Sequence, residues 1–323
     1  MTDSRLPAGV HRIEMPIPFP LQSVHSYVLE TARGFVLVDS GFPSEEAQAV
    51  MQRELARICG SLQRIVAVII THFHPDHSGL AGWLEETGGV RVYVHEKDWA
   101  RLAQMFSEDE EPGPDRWVPD LAAMLDPEVT EAWQRMRRDV HRLRFPIARP
   151  VLVSGDELLD FGDRTLRLIW TPGHTEGHIC VLDEGEDVLF SGDHLLARIT
   201  PHIGAWNTSG ENPLHLYERS LTLIQELAPR LALPAHEMPV EDPSRRAQEI
   251  KEHHQARRRA VLAAIVDGSS TAREISEAVF PHRQDGMNQF LALSETVAHL
   301  QALLEEEAVR REEVGDQLLY SKR

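Results

Sequence analysis

The stretch Thr71–Gly79, THFHPDHSG, follows directly on the apolar run IVAVII at residues 65–70. A short apolar run of that kind reads as a buried strand. Such a strand gains nothing in packing by ending on His72, His74, Asp76 and His77, because these groups cost free energy when buried without partners. Imidazoles together with a carboxylate are, however, the donors of a first-row metal site. On an extended backbone His72 and His74 point the same way and both reach one ion, whereas Asp76 and His77, beyond the turn-favouring Pro75, face a different direction. A solitary HxH is more often a polar strand-to-helix turn with an Asp near the N-cap. Four donors within six positions weaken that reading, and the rest of the chain decides.

Three further apolar runs end on residues of the same kind: TPGHTEGH carries His174, SGDH carries Asp193 and LPAHE carries His236. Loops at one edge of the sheets would gather them in one place. Each alone is a turn histidine, a turn aspartate or a capping histidine; their joint order is what points to a site.

The chain has 323 residues, enough for one large domain and a small one, or two of medium size. IVAVII is far short of the roughly 20 apolar residues of a membrane span. The opening MTDSRLPAGVHRIEMPIPFP lacks a basic segment followed by an apolar core, so no secretory signal is visible and a cytoplasmic location is expected. Cys59 and Cys180 fall in helical and strand patterns and read as packing. The net charge of −18 repels phosphate backbones and anionic membranes, which argues against both as partners and favours a small-molecule substrate.

HSYVLE and GFVLVDSG read as two strands joined by a turn around Ala32–Gly34, the second ending on Asp39. A helix opens at Ser44 and closes at Gly60; a second, SGLAGWLEETG, and the strand VRVYVHE follow IVAVII. Strands alternating with helices imply a layered α/β domain. From residue 97 to about 150 the pattern becomes helical and rich in Trp and Met, an insertion that serves either as a lid over the site or as packing and an oligomer contact. Strands resume from Arg149 onward, a helix runs from Pro213 to about Leu227, and RLALPAHE is again a strand. After Pro243 the chain is mainly helical and ends in a hairpin whose Gly315-Asp316 suits a tight turn.

The ordered set VDSG, THFHPDH, TPGHTEGH, SGDH and PAHE resembles the five motifs of the metallo-β-lactamase fold superfamily, over residues 1 to about 242. The resemblance implies an αββα sandwich with two divalent cations, His72, His74 and His174 on one, Asp76, His77 and His236 on the other, and Asp193 bridging them. Zinc is the first expectation, with iron or manganese also accepted by the fold. Two cations lower the pKa of a shared water toward about 7, and the resulting hydroxide would attack a carbonyl or phosphoryl centre, aimed by Asp76. Asp39 is expected to orient a ligand imidazole. The β-lactamases of this fold lack the bridging aspartate, so Asp193 resembles the glyoxalase II thioesterases, the N-acyl-homoserine lactonases and the RNA-processing nucleases; persulfide dioxygenases with a single iron are a further rival.

Residues 244–323 resemble the small winged-helix appendage of some members, one branch of which includes an endoribonuclease. The presumed recognition helix, around Ser294–Glu307, carries Glu295, Glu305, Glu306 and Glu307 and no Lys or Arg, which argues against nucleic acid. The expectation is therefore a dinuclear hydrolase of a small thioester or ester, residues 1–243, with RNA cleavage as the alternative. Ile203 and Trp206, in ITPHIGAWN, and Trp117 and Trp133 of the insertion are expected to wall the substrate slot.

Overall fold

The computed structural model describes residues 6–18, 21–106, 146–205, 210–266, 268–282, 286–315 and 317–323. Most of the insertion, with Trp117 and Trp133, and Trp206 lie outside the described residues, so the walls expected from them and the choice between lid and contact do too.

Six strands form the first sheet in chain order: β1 (Val10–Pro16), β2 (Ser23–Thr31), β3 (Gly34–Val38), β4 (Ile65–Ile69), β5 (Arg91–His95) and β6 (Val151–Val153). β1 to β3 are antiparallel, and β3 to β6 run parallel. The second sheet holds β7 (Leu158–Asp160), β8 (Thr165–Trp170), β9 (Ile179–Asp183), β10 (Val188–Gly192) and β11 (Leu231–Pro234), ordered β11-β10-β9-β8-β7.

Side-chain alternation fixes how the sheets stack. Val36 and Val38 of β3 join Ile179 and Val181 of β9 in the core between the two sheets. Their neighbours Phe35 and Leu37 face outward, into a cluster with Met51, Leu55 and Leu84 from helices α1 (Glu45–Cys59) and α3 (Ala81–Gly88). Cys180 and Leu182 face the opposite layer with Leu214, Tyr217 and Leu221 of the helix Pro213–Leu227. Strands buried on both faces read as unbroken apolar runs such as IVAVI, and the result is an αββα sandwich. Ala47, Met51, Leu55 and Cys59, spaced by four, form the buried stripe of α1, with Ser44 capping its start through Ala47 N and Gly60, at φ +76°, closing its end.

A four-residue helix, α2 (Pro75–Ser78), precedes α3, and α4 (Glu96–Phe106) follows β5. The helix Pro213–Leu227 is α5; α6 (Pro243–Ala264), β12 (Ser270–Thr271), α7 (Ala272–Val279), α8 (Gly286–Glu305), β13 (Val309–Val314) and β14 (Gln317–Lys322) complete the chain, the last three strands forming a small sheet ordered β12-β14-β13. Helix α8 is not the exposed acidic helix expected of it. Residues 292–300 are all buried, Glu295 among them, and Glu305 and Glu306 pair with His215 of α5 and Arg258 of α6. Its acids are spent on neighbouring helices, which a count of charges along the helix does not reveal. Among the described residues no helix is long and apolar enough to cross a membrane.

Candidate metal centre

All the donor loops leave one edge of the sandwich. β3 and β4 are parallel neighbours, so Asp39 and the segment after Ile69 emerge together, joined by Asp39 N donating to Ile69 O at 3.0 Å. In the second sheet β8, β10 and β11 share one direction, being related through antiparallel β9 and the parallel pair β10–β11. His174, Asp193 and His236 therefore meet at the same edge. Ligand sites at the carboxyl ends of strands are a general property of such sheets.

β4 stops at Ile69, and His72 lies beyond it in no regular element, followed by a bend at Phe73 and His74, with His74 at the N-cap position of α2. Strand alternation is therefore not what brings His72 and His74 together. They converge because they present different ring atoms: His72 Nε2 lies 2.9 Å from His74 Nδ1, and His174 Nε2 lies 3.1 Å from the same atom. A second gathering joins Asp76, His77 and His236, with His77 Nε2 and His236 Nε2 each 3.6 Å from Asp76 Oδ2. Asp193 touches both: its Oδ2 is 3.6 Å from His174 Nε2, and its Oδ1 is 3.6 Å from His77 Nε2 and 3.5 Å from His236 Nε2.

The ring nitrogens turned away from the centre are held by the protein. Asp39 Oδ2 accepts from His77 Nδ1 at 2.8 Å, the His202 carbonyl from His174 Nδ1 at 2.8 Å, and the Ser23 carbonyl from His236 Nδ1 at 2.9 Å. A carbonyl can only accept, so Nδ1 carries the proton in His174 and His236 and the Nε2 lone pair faces inward. Asp39 also takes Thr71 N and Thr71 Oγ1, both at 2.8 Å. It adopts φ +60°, a left-handed conformation that Asp tolerates better than most residues. Gly173 has no such latitude: at φ +140° its Cβ would sit 2.4 Å from Tyr217 Cβ, so glycine alone lets the His174 loop lie against α5.

Three protonation patterns fit a bound cation. Burial, then the neighbouring imidazoles, holds His72 far below the usual histidine range, and burial lowers His74 to about 3. Burial also lowers His174. At His77 and His236 burial acts in the same direction but is outweighed by Asp76 and Asp193, so both are raised. Asp76 and Asp193 are pushed up by burial and pulled down further by the surrounding histidines. His77 Nε2 and Asp193 Oδ1 are buried without any hydrogen-bond partner. Orphaned donors facing one another beside lone pairs that cannot hold protons are what a divalent cation satisfies. The three donor groups His72/His74/His174, His72/His77/Asp193 and Asp76/His77/His236 each bring their atoms within 4.8 Å of one another.

Two contributors escape a reading of motifs. Asp98, buried in the first turn of α4, accepts from Phe73 N at 2.9 Å, Thr175 Oγ1 at 2.8 Å and Gly177 N at 2.7 Å, tying together the loops that carry His72, His74 and His174. Burial pushes its carboxyl up to about 7 against those three bonds. An acid two residues into a helix normally reads as a solvated first-turn charge, so nothing local marks it. His202 is the other, acting through its backbone carbonyl, which any residue type would supply. Ile203 lies in the core cluster of Leu214 and Tyr217 at 1% exposure. Beside His174 a small cleft is lined by Phe73, Arg101, Glu176 and Leu216.

A sandwich of this kind with clustered His and Asp donors at one edge defines a metal-dependent hydrolase. The sequence profile of the metallo-beta-lactamase superfamily matches residues 20–236, and that of the metallo-beta-lactamase-like C-terminal domain matches residues 259–321. The chain belongs to the metallo-beta-lactamase superfamily. It is similar to a metallo-beta-lactamase family protein of Thermus thermophilus, with 34% identity, 98% of this chain and 99% of the other covered, and a TM-score of 0.83. The probable metallo-hydrolase YqjP of Bacillus subtilis is 26% identical over 92% of both chains. An atrochrysone carboxyl ACP thioesterase of Aspergillus fumigatus is 26% identical over 82% of this chain and 70% of its own length.

Proposed function

We propose that the chain is a dinuclear metallo-hydrolase of a small acyl thioester or ester. The observation that carries this is Asp193, whose two carboxylate oxygens divide between His174 on one side and His77 and His236 on the other. Two divalent cations held there, zinc before iron or manganese for imidazole and carboxylate donors, supply an acidified water and an electrophile for the scissile carbonyl. His72, His74 and His174 would hold one, Asp76, His77 and His236 the other, and Asp193 both. The protein's own part is positional. Asp39, the Ser23 carbonyl and the His202 carbonyl aim the rings, and Asp76 is placed to accept a hydrogen bond from the attacking water and so aim it.

A thioester asks least of such a site. Its leaving thiolate, with a pKa of about 8.5, departs without prior protonation when the C–S bond breaks, so no general acid is required of the site residues. The thioesterase name of the fungal relative supports the same class. Nucleic acid as substrate is disfavoured by the charge of −18 and by a helix α8 that is packed inside the protein.

The test is a panel of acyl thioesters, esters, lactones and single-stranded RNA offered to Zn²⁺-loaded protein at equal concentration. Thioester or ester turnover that disappears in His74→Ala is expected. RNA cleavage lost in the same variant, with no acyl substrate turned over, would replace this reading with the nuclease one.

A further inference from the structure

Residues 198–205 form no regular element, yet the His202 carbonyl within them fixes the ring of His174. A carbonyl outside a strand ladder or helix points only where its segment is pinned. Here the pins come from the C-terminal helices. Ser294 Oγ of α8, donating its own proton to Leu291 O at 3.0 Å, accepts from His202 Nε2 at 3.0 Å. Ser294 O accepts from Ala205 N at 3.1 Å, and the Ala205 side chain lies in the core of the C-terminal unit with Val297 and Leu300. Glu295 Oε2 stands 3.7 Å from the other ring nitrogen of His202. At the near end of the segment, Arg246 of α6 donates to the carbonyls of Arg198 and Ile199 at 3.0 and 2.9 Å. Glu237, next to His236, accepts from the amides of the same two residues at 2.7 and 3.2 Å.

We propose that the C-terminal unit is a working part of the metal centre, with Ser294 of α8 and His202 acting as positioning residues that hold the His174 imidazole at its metal-facing angle. Neither touches the reacting atoms. The contact pair Ser294–His202 transmits the position of α8 to one carbonyl, and that carbonyl sets which nitrogen of His174 is free and where it points. Partners of this kind alter metal affinity or activity by about 10- to 100-fold when removed. The inference rests on His174 being a metal ligand, as proposed above.

The experiment is a Co²⁺ titration of the full chain, followed by the visible absorption of the bound ion and by equilibrium affinity, with no substrate present. Ser294→Ala and His202→Ala are expected to weaken Co²⁺ binding by about tenfold or more and to shift the absorption bands, since the donor atoms stay but their angle is freed. Ser294→Thr, which keeps the hydroxyl, should restore both. Val309→Ala, buried in the C-terminal core away from this contact, should lower Tm and leave the spectrum unchanged. Wild-type spectra and affinities in both Ser294→Ala and His202→Ala would overturn the proposal, as would a spectral change in Val309→Ala equal to that in Ser294→Ala, which would mean general loosening. If His202→Ala does not fold, the Ser294→Ala and Ser294→Thr pair decides. His174→Ala separates the two levels: unchanged Co²⁺ binding there would remove the ligand assignment itself.

Discussion

The two halves of the candidate metal centre are built from overlapping residue types but hold protons in opposite ways. His72, His74 and His174 crowd three ring nitrogens together, and burial lowers all three, so this half carries no imidazolium charge at neutral pH. The half containing His77 and His236 faces Asp76 and Asp193, and those carboxylates raise both histidines against the effect of burial. A cation entering the first half displaces nothing, whereas one entering the second competes with protons. The carboxylates therefore decide which half is charged, and Asp193 makes the two halves one site.

The strongest way to break that union is Asp193→Ala. Turnover should fall by about three orders of magnitude, on the order of 4 kcal/mol in the barrier, and elemental analysis should show the metal content dropping from two per chain to one. Two metals with full turnover would mean that the halves are independent. Asp39→Asn sharpens the comparison with a smaller effect. It removes the charge in direct contact with His77 Nδ1 and reaches the other half only through Thr71, whose Oγ1 lies 3.1 Å from His72 Nδ1, so one of two metal affinities should weaken by about 10- to 100-fold and the other by less. Equal loss of both, in a two-step metal titration, would show that Asp39 supports the whole edge and not one half.

The smallest effect concerns stability away from the metals. His254 of α6 and His299 of α8 lie with ring centroids 5.6 Å apart, and neither ring has a hydrogen-bond partner. Burial lowers His254 to about 4 and His299 to about 3; Glu295 pulls both upward, and Arg257 and Arg258 push them down. A folded pKa below the unfolded value means that the unfolded chain binds more protons below about pH 6.5. Their contribution is thus present above that pH and is lost as the pH falls toward 4, by on the order of 2 kcal/mol per histidine at pH 5. The fall in urea midpoint between pH 7.5 and pH 5 should be shallower in His254→Leu than in the wild type; identical slopes would show that the pair is hydrated or protonated in the fold.

The strands GFVLV and IVAVI and the helix from Ser44 to Gly60 were legible because period-two alternation, apolar runs and caps are local signals. The donor residues were legible for a related reason: polar groups directly after buried strands have no packing role, and there are only so many strand ends. What escaped was whatever depended on the partner and not on the residue. Glu295 reads as a solvated acid and is buried between helices; Asp98 reads as an ordinary first-turn acid and ties three site loops; His202 acts through a carbonyl with no side-chain signature.

By itself, then, the sequence determined the layers of the fold and the chemistry of the donors, since alternation and residue type are properties of a few consecutive positions. Only the tertiary structure decided which donors share a neighbourhood. His74 and His174 meet across 100 residues of chain, and His202 meets Ser294 across 92, because parallel strands bring their carboxyl ends to one edge and α8 packs against the segment behind it. Contacts at that separation follow from how the sheets and helices close on one another, and no local pattern encodes them.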